Sequence, residues 1–191
     1  MASGAALVTR YADTYTRADS LTDLGSTETG SQAYVQVVGV DGGISTNRGV
    51  FNNSATGGLW SLNTGGFTDG EFSLDVNRGT TGGFPIMAIR LVDDNNMIGL
   101  QWDTGLDKLK LTKIVASTQT DLGTISGVVM SASTTYTVKV TAVGNTISAY
   151  LNGSLICGPV TDAAFNSATK IGLRRYGGGL EFTWDNLLYQ A

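Results

Sequence analysis

Histidine is absent from the 191 residues, which removes the commonest general base, the usual catalytic triads and the usual zinc sites. Cysteine is nearly absent. The single Cys157 excludes an internal disulfide, cannot form a thiol-protease pair without a histidine, and suits synthesis in a reducing cytoplasm. Its simplest role is that of a small buried hydrophobe on a strand. Charge is sparse: 15% of residues are charged, the net charge is −4 and the pI is near 4.6. That balance argues against an electrostatic nucleic-acid footprint. No apolar run approaches membrane-spanning length, and residues 1–10 lack the apolar centre of a signal peptide, so neither a membrane nor export is expected. No stretch has convincing helical periodicity, although 161–168 has room for one turn, and no G-x-x-x-x-G-K-[ST] phosphate loop is present.

What is abundant is glycine, 26 residues, with Ser, Thr and Asn at the polar positions. This is the material of short strands and tight turns. Residues 135–156 show it best. Tyr136, Val138 and Val140 alternate with Thr137, Lys139 and Thr141, the period of a strand with one buried face. A Val143-Gly144-Asn145-Thr146 turn follows, then Ile147, Ala149 and Leu151 on one side against Thr146, Ser148 and Tyr150 on the other. Asn152-Gly153 is a strong hairpin signal, and 154–157 reads as the returning strand. The result is a three-strand meander with an oily face that needs a second sheet.

Other strand candidates are 13–17, 33–40, 48–51, 59–62, 71–76 with Phe72, Leu74 and Val76 facing inward, 85–92, 97–102, 109–114, 170–174 and 181–189. The lysines between Leu109, Leu111 and Ile114 suggest a guarded edge. Thr-Gly-Gly recurs at Thr56, Thr64 and Thr81 at unequal intervals, as turn chemistry rather than a repeat. Residues 1–12 read as an extended arm and 13–191 as one domain, because no linker divides them. The fold class is all-β, a two-sheet antiparallel jelly-roll sandwich.

Catalysis finds little support. Glycoside hydrolysis needs two carboxylates about 5–5.5 Å apart for retention or about 6.5–9.5 Å for inversion. The chain has only three glutamates, Glu28, Glu71 and Glu181. Glu71 and Asp75 share a face, but four strand steps put them roughly 13 Å apart. A pair assembled from two different strands remains open.

Binding of a glycan calls for aromatic platforms with amide, carboxylate and guanidinium partners. The candidates are Trp60, Arg90, Trp102, Tyr150 and Tyr176. Trp184 alternates with Phe182 on an apolar strand and reads as core, whereas Trp60 and Trp102 are divided evenly between core and rim. Tyr150 should face away from Ile147 and Leu151. Arg90 reads as lying on the polar side of its strand, available to a carboxylate or phosphate or held in a salt bridge. Asp13, Asp19 and Asp185 could cluster around a calcium ion if the first and last strands pair, although turn capping is the commoner use of aspartate. No cofactor is expected, and the metal question is open.

Four motifs in order look familiar. Asp13-Thr14-Tyr15-Thr16-Arg17-Ala18-Asp19-Ser20 followed by Leu24-Gly25 resembles the D-x-F-x-R-x-x-S…L-G opening of concanavalin A-like lectin/glucanase (LamG-like) jelly-roll domains. Arg90, the turn Asp93-Asp94-Asn95-Asn96 and the strand from Met97 to Leu100 resemble the next landmark. The 135–156 meander and the ending Ile171-Gly172-Leu173…Phe182-Thr183-Trp184-Asp185-Asn186-Leu187 complete the likeness. The resemblance implies proteins of bacteriophage tails, fibres and capsid surfaces, or glycan-binding modules of secreted enzymes. The leading expectation is therefore a non-catalytic phage virion structural protein, made in the host cytoplasm. Its partners would be capsid or tail proteins or further copies of itself, with host-surface glycan as a ligand. A free-standing carbohydrate-binding lectin module is the alternative, and a glycoside hydrolase or polysaccharide lyase comes third. Fold likeness does not settle function, which depends on the site.

Overall fold

A computed structural model of the chain describes residues 6–39, 42–51, 58–78, 84–103, 106–176 and 182–191, with backbone only for Phe84 and Tyr176. The described residues form fifteen strands and no helix: β1 (Thr9–Asp13), β2 (Val35–Val38), β3 (Gly43–Ser45), β4 (Arg48–Val50), β5 (Gly58–Asn63), β6 (Gly70–Arg78), β7 (Phe84–Asp93), β8 (Asn96–Asp103), β9 (Lys108–Val115), β10 (Thr118–Ser126), β11 (Thr135–Val143), β12 (Thr146–Leu151), β13 (Ser154–Thr161), β14 (Lys170–Tyr176) and β15 (Phe182–Gln190). All strand pairs are antiparallel. The first sheet runs β13-β12-β11-β6-β15-β4-β3, with β1 also paired to β15, and the second runs β10-β9-β8-β7-β14-β5-β2. The expected two-sheet jelly-roll sandwich is what the chain forms.

The alternation in the sequence sets the inner surface of the first sheet. Phe72, Leu74 and Val76 of β6, Val138, Val140 and Ala142 of β11, and Ile147 and Ala149 of β12 are all buried in the shared core. The meander pairs as anticipated, with Val138 opposite Leu151 and Tyr150 opposite Leu155. Asn152 (φ 48°) and Gly153 (φ 79°) both adopt the positive φ that a tight two-residue hairpin turn requires.

Several sequence expectations are corrected. The arm does not extend to residue 12: β1 pairs with β15, and Val8 and Ala191 exchange backbone hydrogen bonds of 3.2 and 3.1 Å. Residues 14–17 turn away from the strand instead of forming one, with Tyr15 at φ 53°. β9 is not an edge, because β10, a strand without apolar alternation, covers it. β3 was likewise hidden in what reads as a glycine turn. Residues 162–169 hold turns and no helix. Residues 1–5, the Thr-Gly-Gly turns at Thr56 and Thr81, and Glu181 lie outside the described residues.

The second sheet departs most from simple alternation. Its inner face supplies Trp60, Met87, Ile98, Leu100 and Leu173 to the core, yet part of its outer face is apolar too. Leu59, Ile86, Ala88, Leu91, Met97 and Ile114 form a separate buried cluster there. The cover comes from the sheet itself. Arg174 is the register partner of Ile86, and Asp94 lies eight residues further along β7 and its turn (86 to 94), roughly 26 Å away on a flat strand. Even so, the Arg174 guanidinium forms an ion pair with the Asp94 carboxylate, and Lys170 Nζ reaches the Val92 carbonyl at 3.5 Å. The β7–β8 hairpin therefore curls over the outer face, bent by register irregularities between Ala88 and Arg90 and between Leu91 and Asp93. Gly172 makes room for it: a Cβ there would stand 2.6 Å from Leu91 Cδ2.

Candidate functional site

The opening motif is structural. The Asp13 carboxylate is fully buried and accepts hydrogen bonds from Arg17 Nη1 (2.7 Å) and Nη2 (2.8 Å), the Tyr15 N–H (2.9 Å) and the Tyr34 hydroxyl (2.9 Å). Burial pushes the Tyr15 and Tyr34 phenols well up from the ordinary tyrosine range, so both remain neutral partners within this network. Asp13 therefore pins the 14–34 segment to the sandwich. It is not placed to join Asp19, which accepts from the Thr46 N–H (2.9 Å), or Asp185, which stands on the outer face of the first sheet. The proposed calcium cluster does not assemble from these three.

Three of the five binding candidates are withdrawn by burial. Trp60 is 4% exposed and packed so closely that a Cβ on Gly42 would fall 2.0 Å from its Nε1. Trp102 is also 4% exposed, edge-on to Phe182 at 5.2 Å and to Tyr136 at 6.1 Å. Neither presents a ring face to a ligand. The nearby interior cavity, bounded by Leu74, Trp102, Val138 and Phe182, is about 30 Å³, the room of a single water and too small for a sugar.

Arg90 is 0% exposed and points inward, contrary to its expected place on the polar side. The bulge inserts Ile89 between Ala88 and Arg90 and reverses the parity of the strand, so Arg90 lies opposite Ile98. Its guanidinium meets Asp69 Oδ1 (3.6 Å), the Gly144 carbonyl and the Asp162 carbonyl (3.4 Å). Burial lowers its pKa from the ordinary arginine value, while Asp69 and Asp162 oppose that shift. Arg90 thus joins the second sheet to three loops at one end of the sandwich. The Tyr176 side chain lies outside what the structure describes.

Tyr150 is the candidate that remains, half-buried on the outer face of the first sheet. Beside it Leu155, its register partner, is 51% exposed. On the other side Lys139 places its ammonium 4.7 Å from the Tyr150 ring centroid and 2.9 Å from Glu71 Oε2. The central strand β6 points Glu71, Ser73, Asp75 and Asn77 outward, all half-buried. Register then brings Thr141, Lys139, Thr137 and Thr135 of β11 alongside them, and Gln190, Leu188, Asp185 and Thr183 of β15 on the opposite flank. Asp75 accepts from the Thr137 hydroxyl (2.6 Å) and the Asn186 side-chain amide (2.8 Å), while the Asn186 N–H donates to Asp185 Oδ1 (2.7 Å). Asn186 reaches both carboxylates because a bulge between Asp185 and Leu188 puts it at φ 50°.

The result is an open shelf that presents Tyr150, Leu155 and the half-buried Leu188 beside a row of hydroxyl, amide and carboxylate groups. Apolar contact with a few placed polar groups is the usual composition of a small-molecule site. As a glycan-binding residue, sequence reasoning singled out only Tyr150 of this set; Glu71 and Asp75 were weighed as a catalytic pair and Asp185 as a calcium ligand. The alternation G-E-F-S-L-D-V-N and the Asp185-Asn186 pair carried the remaining signal, but which strands lie side by side was not visible.

No family model and no curated protein matches the chain. Solved structures do. A carbohydrate binding module, CBM66, from Bacillus subtilis superposes with a TM-score of 0.68 at 15% identity, covering 83% of this chain and 95% of that one. LamA from Z. galactanivorans in complex with laminaritriose and laminaritetraose gives 0.65 at 12%, covering 97% and 98%. The exoplasmic/lumenal domain of VIP36 in its Ca2+/Man-bound form gives 0.64 at 10%, covering 96% and 91%. At these identities the likeness establishes the fold, a concanavalin A-like or galectin-like sandwich.

Proposed function

We propose that this chain is a non-catalytic carbohydrate-binding domain whose site is the outer face of the first sheet, centred on Tyr150, Thr137, Asp75 and Asn186. The observation that carries this reading is the coincidence on one open face of the half-buried Tyr150 ring with a hydrogen-bonded polar row. An aromatic body supplies apolar contact for a sugar's C–H face, and the row supplies partners for its hydroxyls. That the similar structures include a carbohydrate binding module and a mannose-bound domain supports the same reading.

Catalysis is the weaker reading even though Asp75 and Asp185 are register partners on adjacent strands. Such partners place their Cβ atoms about 4.5–5.5 Å apart, within reach of the retaining geometry. A glycosidase, however, needs environments that push its two carboxyls toward opposite roles, one protonated in an apolar pocket and one charged. Here both aspartates are partly open to water and both accept hydrogen bonds from Asn186. Nothing sets one apart as the acid.

A glycan array under native conditions tests the proposal, with Tyr150→Ala as the diagnostic variant. A ligand bound by the wild type and lost at least tenfold in the variant supports it. Product release from a polysaccharide panel would replace it with a hydrolase. The virion setting, with capsid or tail proteins or further copies as partners, is supported by the order of the sequence motifs alone. Its test is whether neighbouring genes encode capsid and tail proteins.

A further inference from the structure

The charges of this face go beyond its general character as a sugar shelf. Three carboxylates, Glu71, Asp75 and Asp185, stand on β6 and β15. The one ammonium among them, Lys139, is taken by Glu71 at 2.9 Å. Arg48, at the corner on β4, donates to the Thr183 hydroxyl at 3.3 Å. Among the described residues Asp75 and Asp185 have no cationic partner, and they stand directly opposite each other, a like-charge arrangement that disfavours the sheet. Among the described residues their hydrogen bonds come from neutral donors, Thr137 and Asn186.

We infer that the face selects uncharged, hydroxyl-rich glycans and rejects chains bearing uronate, sialate or sulfate groups. This rests on the carbohydrate-binding reading above and narrows it. A ligand hydroxyl donates its proton to a carboxylate lone pair that Thr137 and Asn186 leave free, and a carboxylate has about four such sites. An anionic ring offers the same pair no proton and adds a third negative charge within a few ångströms. Tyr150 on β12 and Asp185 on β15 are separated by three strand spacings, roughly 14 Å. One ring cannot touch both ends, so an extended oligosaccharide lying across the strands fits the shelf better than a terminal sugar.

The test compares matched chains that differ in one group: linear galactan oligomers and oligogalacturonate of equal length, with glucose and mannose oligomers and sulfated galactan alongside, by calorimetry on the full chain. Neutral oligomers should bind more tightly than their charged counterparts, by on the order of tenfold per charged ring placed near the pair at low salt. Added salt should narrow the gap as it screens partly exposed charge. Asp185→Asn, which keeps an acceptor for the Asn186 N–H, should narrow it at constant salt. Oligogalacturonate binding as tightly as galactan, or a gap that ignores both salt and Asp185→Asn, overturns the charge selection and leaves carbohydrate binding standing. Failure to bind any chain on the panel overturns the carbohydrate-binding reading itself.

Discussion

On the outside of the first sheet Ser73, Asp75 and Thr137 stand partly in water, whereas on the outside of the second Ala88, Gly99 and Gly172 lie beneath Leu59, Ile86, Leu91 and Met97. A sandwich has one core but four faces, and the two outward ones must be polar or covered. Here each sheet takes a different course. The first keeps hydroxyls and carboxylates outward and leaves its face free for a ligand. The second carries an apolar cluster on part of its outer face and closes it with its own bent hairpin, so a ligand there would have to displace Leu91 and Asp94. Towards β10 the same face is polar, with Lys110 between Asp103 (3.9 Å) and Asp121 (3.5 Å) and Gln119 donating to Gln101 (2.8 Å). On the proposed reading recognition falls to the first sheet and stability to both.

The sharpest way to break the contrast is to enlarge the covered floor. A Cβ at Gly99 would lie 2.4 Å from the Met87 carbonyl oxygen and 2.8 Å from Ile86 Cγ2. Gly99→Val is expected to destabilise by about 3 kcal/mol, the upper range for overpacking against backbone that cannot retreat. The urea midpoint reads this directly. A loss under about 1 kcal/mol would show that the outer face of the second sheet is open and that the contrast is false.

Next in size is release of the bent hairpin. Arg174→Ala removes the ion pair to Asp94, which is only partly exposed, and should cost about 1–2 kcal/mol. Hydrogen exchange locates the effect: amides of Leu91 and Met97 should lose protection while those of Val138 and Val140 keep theirs. Uniform loss across both sheets would mean that the hairpin is not a separate cover.

The contrast was half legible in the sequence. Glu71-Phe72-Ser73-Leu74-Asp75-Val76 declares one wet side and one dry side, and the Asn152-Gly153 turn fixes the register of the meander. The second sheet was harder to read because Ile86, Met87, Ala88 and Ile89 are apolar at successive positions, a pattern that shows burial on both sides without saying what covers each. Arg90 was misplaced for a related reason: the bulge at Ile89 adds one residue to a strand, and a period of two then points every later side chain the wrong way. Trp60 and Trp102 could not be assigned because their neighbours, Gly57-Gly58 and Asp103, suit a rim as well as a core. The site was the least legible part. It is a juxtaposition of β6 with β11 and β15, residues as far apart in the chain as Asp75 and Asn186, and only long-range pairing creates it.

The two sheets also meet at a polar junction, and acid tests how far each depends on it. Asp162 accepts from Lys113 Nζ of the second sheet at 2.6 Å and lies beside Arg90. Burial by itself would raise its pKa, but the hydrogen bonds from Lys113 and the Ala164 N–H, with attraction to Lys113 and Arg90, hold the carboxyl below the usual range. A carboxyl depressed in the folded state contributes stability that is present above its unfolded value, about 4, and lost as pH falls through the folded value. Wild-type stability should therefore drop below about pH 4 by more than that of Asp162→Asn. Denaturant titrations at pH 7 and pH 3 measure it. Identical acid sensitivity in the two proteins would remove Asp162 from the junction.

The smallest expected change in stability falls where the change in binding should be large. Ser73 is the short side chain at the middle of the open face, with Lys139 and Leu188 as its register partners. Valine there suits a central strand and meets water as well as neighbours, so Ser73→Val should shift stability by no more than about 0.5 kcal/mol. It also raises an apolar ridge between Tyr150 and Asp185 and removes a hydroxyl from the row. If the shelf is the site, glycan affinity falls severalfold while the urea midpoint stays in place. Placed beside Gly99→Val, this gives opposite outcomes for one residue type on the two faces: a collapse in stability on the covered side, and a loss of recognition with the fold intact on the open side.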